Sequence, residues 1–150
     1  MVVVVACLLV GFNSRVVRAD TLPTAVNPVQ LVIPAIGVNA KVQDVGLAED
    51  GSMGVPSNFE DVAWYDLGVA PGQSGNAIFT GHVSSTASAA VFYDIDQLGP
   101  GNTVRILGDG GTELMFIVQE VDTFPMENVP MDRLFAPSDQ PGVVLITCGG

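Results

Sequence analysis

Thr103-Val-Arg-Ile-Leu107, Gly108-Asp-Gly-Gly111 and Leu114-Met-Phe-Ile-Val118 read as a strand, a turn and a second strand. Val104 and Ile106 alternate with Arg105, so the valine and isoleucine would face a core and the guanidinium solvent. The glycine-rich tetrad between the runs supplies the backbone freedom of a hairpin turn. The same reading extends in both directions. Val143-Val-Leu-Ile-Thr147 is a final strand, and Asn76-Ala-Ile-Phe-Thr80 is a short one leading into Gly81-His82. Val38-Asn-Ala-Lys-Val42 alternates, and Val29-Gln-Leu-Val-Ile33 is a strand stopped by Pro34. Helical spacing of Val91, Phe92, Ile95 and Leu98 predicts a helix over Ala87–Leu98, ended by Gly99-Pro-Gly101. A helical turn is expected near Met131–Phe135. Six or so short strands with one or two short helices predict an all-β fold, a closed or nearly closed small barrel.

Composition narrows the function. Nearly half of the 150 residues are apolar and 14% are charged, which excludes a disordered chain. Beyond residue 19 three basic residues (Lys41, Arg105, Arg133) face sixteen carboxylates, a net charge of −13. Such a surface repels nucleic acid phosphates, and nucleic acid binding is excluded as a function.

Met1 to Phe12 is almost wholly apolar and is followed by Arg15 and Arg18. As a helix it would span about 18 Å, short of the roughly 30 Å hydrocarbon core. No basic residue precedes it, as one would in a signal peptide. Residues 1–19 are read as a membrane anchor or signal segment without its usual start; a buried strand of the domain is the alternative. Residues 20–28, polar and proline-bearing, read as a linker, and residues 29–150 as the folded domain.

Two residues carry candidate chemistry. Cys148 closes an apolar strand, and the only other cysteine is Cys7. His82, the sole histidine, also follows a strand end. A thiol is nucleophilic as thiolate, which a neighbouring imidazolium favours. Two strand ends side by side in one sheet would join residues 66 apart. A buried structural cysteine with a surface-loop histidine is the competing reading. One histidine and one cysteine cannot supply a four-ligand zinc site, so no metal and no cofactor is expected.

Chain order separates the thiol enzymes, since papain-like enzymes place cysteine before histidine, the reverse of this chain. Thr80-Gly81-His82 resembles the histidine motif of the sortases, and Leu145-Ile-Thr-Cys148 matches their Leu-x-Thr-Cys nucleophile motif. Leu31-Val-Ile-Pro-Ala-Ile-Gly37 resembles the family's opening strand, Trp64-Tyr65 a common pair, and Ala90-Val-Phe92 the segment after the histidine loop. Cys148-Gly149-Gly150 resembles the actinobacterial class F pattern more than that of class E or D. The resemblance spans about residues 28–150.

It implies a sortase barrel in which His82 and Cys148 are catalytic and Thr147 is a substrate-binding candidate. It implies a cysteine transpeptidase that cleaves Thr-Gly in a Leu-Pro-x-Thr-Gly-like sorting signal and passes the acyl group to an amine. The implied partners are sorting-signal proteins, a cell-wall precursor or protein amine as acceptor, and the membrane through the N-terminal segment. The implied place of action is extracytoplasmic, on the cytoplasmic membrane of a Gram-positive-type, actinobacterial cell. The family's third residue is an arginine on the strand after the cysteine, an oxyanion donor. No arginine follows Cys148 in these 150 residues. The final strand is therefore expected to be missing, with the edge beside Cys148 unpaired. A non-catalytic peptide-binding barrel, or the product of a decayed gene, is the alternative function.

Overall fold

The computed structural model describes residues 2–12 and 25–148. Eight strands form it: β1 Val2–Phe12, β2 Pro28–Ile33, β3 Val38–Val45, β4 Val62–Tyr65, β5 Gly75–Thr80, β6 Thr103–Gly108, β7 Glu113–Phe124 and β8 Pro141–Cys148. One short α-helix, α1 (Met131–Leu134), lies in the β7–β8 connection. The strands close into a barrel in the order β1-β7-β6-β2-β3-β4-β5-β8. The fold is the all-β barrel expected from the alternating runs.

The hairpin that opened the sequence reading forms as written, with Ile106 opposite Leu114 and Val104 opposite Phe116. These four side chains are fully buried in the barrel. They meet Leu31, Ile33, Phe79, Val143 and Leu145 from the other walls. Arg105 points outward as expected and pairs with Glu113 across the hairpin. Full burial of a side chain of this size contributes about 1.5–3 kcal/mol. The interior row is therefore the main source of stability.

Three expectations are corrected. The edge beside Cys148 is not open, because β1 pairs antiparallel with β8 on one side and β7 on the other. Over Val2–Phe12 the backbone of the apolar run is a strand of the barrel. The rest of residues 1–19, and the linker as far as residue 24, lie outside the described residues. No helix among the described residues is long and apolar enough to cross a membrane.

The helix expected over Ala87–Leu98 does not form; only a 3-10 turn, Ile95–Gln97, appears there. The amides that would build it are taken elsewhere. Ala90 N–H donates to the Val83 carbonyl and Phe92 N–H to that of His82, at 3.2 and 2.9 Å. Phe92, Ile95 and Leu98 still bury their side chains in the core, so the apolar spacing reports burial and not helix.

The third correction adds strand β4, Val62–Tyr65, to those expected. It runs parallel to β3, with Val42 opposite Val62 and Asp44 opposite Trp64. Trp64 is buried and donates its indole N–H to the Val69 carbonyl at 3.2 Å.

Candidate functional site

The site is built on the parallel pair β5–β8. Its register holds a constant offset, Ala77 opposite Val143 through Thr80 opposite Ile146. Two hydrogen bonds carry it one residue beyond β5. Gly81 N–H donates to the Ile146 carbonyl at 3.2 Å, and Thr147 Oγ1 donates to the Gly81 carbonyl at 2.7 Å. One further step at the same offset would bring His82 level with Cys148. Neighbouring strands lie about 4.8 Å apart.

Alternation along β8 puts the Cys148 side chain on the outer face. Ala77, Phe79, Val143 and Leu145 point into the barrel. Ile78 and Val144 point outward, where they meet Val2 and Leu134 of α1 in a second apolar cluster. Cys148 continues this outer row and is exposed, while His82 is half-buried. Met53, Val129 and Ile146 pack at the margin of the same cluster. An apolar outer wall therefore runs along β5 and β8 towards the Cys148 thiol.

Thr147 faces inward and is buried, its hydroxyl spent on the Gly81 carbonyl. It ties the cysteine strand to the histidine strand and does not present its side chain to a ligand. Gly81 is needed for space. A Cβ there would lie 2.5 Å from Phe92 Cδ2 and 2.9 Å from Val91 Cγ1. Its φ is not positive, so close packing of Phe92, and not a turn, is the reason.

His82 is held by a segment the sequence reading passed over, the β3–β4 connection. Its Nε2 lies 2.9 Å from the Pro56 carbonyl oxygen. Its ring lies against Phe59, centroids 4.9 Å apart and planes tilted by 54°. A signal was available in hindsight: Phe59 is a large apolar residue set between Ser57-Asn58 and Glu60-Asp61.

Cys7 cannot serve the site. It is buried on β1 opposite Val143, five register steps from Val2, which faces Cys148. That separation is about 17 Å along the strand. Burial pushes its thiol pKa up to about 12, so it stays protonated and inert. The two arginines among the described residues are engaged elsewhere, Arg105 with Glu113 and Arg133 with Glu120 and Asp122. Among the described residues no group of three or more His, Cys, Asp or Glu side chains could hold a metal ion.

Comparison with known proteins gives a consistent answer. The family model for the sortase domain matches residues 31–150. The fold is similar to sortase A of Corynebacterium diphtheriae in a lid-mutant form, at a TM-score of 0.62 and 18% identity, covering 87% of this chain and 64% of that one. It is similar to Streptococcus agalactiae sortase C1, at a TM-score of 0.62 and 22% identity, covering 81% of this chain and 58% of that one. Sortase C-1 from Actinomyces oris gives 0.60 and 27%, with coverages of 83% and 66%. The chain thus spans about three-fifths to two-thirds of the length of these solved relatives. No curated protein matches it in sequence.

Proposed function

The chain belongs to the sortase family, and from that membership we propose that it is a cell-surface cysteine transpeptidase acting through Cys148 and His82. The observation that carries the proposal is the β5–β8 register. Continued past the Gly81–Thr147 hydrogen bond, its offset would set the sole histidine level with the exposed thiol, which supports pairing the two. In the proposed reaction the Cys148 thiolate attacks the Thr-Gly carbonyl of a Leu-Pro-x-Thr-Gly-like signal. The C–N bond breaks, His82 gives a proton to the leaving amine, and a thioester remains on Cys148. An amine of a cell-wall precursor or another protein then attacks the thioester and releases the thiol. The partly buried Met53, Val129 and Ile146, at the margin of the outer apolar cluster, suit the leucine and proline of such a signal.

An extracytoplasmic place of action on the membrane of a Gram-positive-type cell is part of the same proposal, supported by the family. The Cys148-Gly149-Gly150 ending supports class F. Among the described residues both arginines, Arg105 and Arg133, are paired with carboxylates.

An affinity label tests this reading at the thiol itself, because a single displacement of halide marks the nucleophile. A Leu-Pro-x-Thr peptide ending in a chloromethyl ketone should alkylate Cys148 faster than a scrambled peptide, read by intact and peptide mass. Equal rates for the two peptides would contradict a sorting-signal site.

A further inference from the structure

Half-exposed histidines after a strand end ordinarily sample several rotamers. Here the β3–β4 connection closes over the ring. Phe59 is 46% exposed, with one face covered. That face lies against the imidazole. Pro56 offers only a carbonyl oxygen, which accepts and cannot donate. The 2.9 Å contact therefore requires the proton to be on Nε2.

The connection is itself fixed at three places. The Gln43 side chain on β3 accepts from Ser57 N–H and Ser57 Oγ, both at 3.1 Å, and donates to Asp61 Oδ2 at 2.9 Å. Asn58 donates to the same oxygen at 2.8 Å and accepts from the Glu60 and Asp61 amides. These bonds from Gln43 and Asn58 hold the Asp61 carboxyl below its ordinary pKa. At the upstream end Thr80 Oγ1 donates to the Gly54 carbonyl at 3.2 Å, two residues from His82. Val91 N–H donates to the Phe59 carbonyl at 2.8 Å, while Phe92 N–H returns to His82 itself. The connection and the histidine loop thus brace each other.

We propose that Pro56 and Phe59 are positioning residues for His82, holding its Nε2–H so that Nδ1 is the nitrogen that exchanges a proton at Cys148. The part concerning Cys148 rests on the transpeptidase reading above; the hold on the ring does not. In the neutral ring Nδ1 carries the lone pair. When His82 is charged, the Nε2 proton stays on the Pro56 carbonyl and the Nδ1 proton is the one given away. Phe59 prevents the ring flip that would exchange the two nitrogens.

Because His82 is the only histidine, its ring can be observed alone. The full chain, carrying ¹⁵N-labelled histidine, should show in long-range ¹H–¹⁵N spectra a neutral ring protonated on Nε2, with that proton protected from water exchange. Phe59→Ala should speed that exchange by roughly tenfold or more. It should also slow Cys148 alkylation by iodoacetamide about tenfold, a fraction of the ~10²–10⁴ that acid–base assistance supplies. Asp61→Ala should act in the same direction, and Phe59→Tyr should restore both readouts. Phe59 is largely at the surface, so the fold should survive its loss. A wild-type ring protonated on Nδ1, or a Phe59→Ala ring and thiol unchanged from wild type, would overturn the proposal. His82→Ala serves as the separate control. If it leaves Cys148 alkylation unchanged, the histidine–cysteine pairing fails, whereas the ring spectra judge the hold by Pro56 and Phe59.

Discussion

Replacing Gly81 by alanine puts one methyl group into a space already filled. The new Cβ would stand 2.5 and 2.7 Å from two Phe92 ring carbons and 2.9 Å from Val91 Cγ1. Ordinary contact begins near 3.4 Å, so something must move by nearly an ångström. Phe92 is fully buried and packed in the main core, and cannot swing into solvent. The backbone at Gly81 must give instead, straining the hydrogen bonds to Ile146 and Thr147 that align the two strand ends. Overpacking of this kind costs about 1–3 kcal/mol. For a domain of this size that lowers Tm by roughly 2–12 °C. The chemical penalty is larger, because His82 is the next residue and a displacement of ~1 Å can cost ~10²-fold. Gly99→Ala is the matched control, since a Cβ there meets nothing within 4 Å. Thermal unfolding and Cys148 alkylation should both separate Gly81→Ala from that control. Indistinguishable Tm values and alkylation rates would refute the packing argument.

Two other substitutions test the frame of the site. Thr147→Val keeps the shape but removes the donor to the Gly81 carbonyl; leaving a buried acceptor unmet costs about 1–3 kcal/mol. Chemical denaturation should show that loss with an unchanged m-value. Cys7 predicts an alkaline weakness. Its folded pKa is raised from 9.0 to about 12 by burial. Its contribution is therefore full below pH 9 and is lost as pH rises towards 12. The slope should approach ~1.4 kcal/mol per pH unit. Cys7→Ala should flatten the stability–pH curve above pH 9 relative to wild type, and parallel curves would contradict the burial of that thiol.

What could be read in the residues was local. The β6–β7 hairpin was legible because Val104, Arg105 and Ile106 alternate and the glycine tetrad turns the chain. β4 was not, because four residues have too little period to declare themselves; parallel pairing with β3 defines them. Ala87–Leu98 carries helical spacing, yet its amides are claimed by the His82 and Val83 carbonyls. The uniform valines of Val2–Val5 have no period at all, so a barrel strand and an apolar anchor look alike there. For the site, His82 and Cys148 could be named from chemistry and chain order. The β5–β8 register on which their pairing rests is a long-range feature, carried past β5 by Gly81 and Thr147. The hold on His82 comes from a proline carbonyl and a surface phenylalanine, residue types with no chemical signature.

The central claim is that His82 acts on the Cys148 thiol. It is tested most directly by the rate of Cys148 alkylation measured from pH 5 to pH 10, in the wild-type chain and in His82→Ala. Cys7, buried and protonated throughout most of this range, should remain unmodified in the folded protein. The account predicts that the wild-type profile differs from that of His82→Ala, with faster alkylation at neutral and mildly acidic pH. Two superimposable profiles would contradict it.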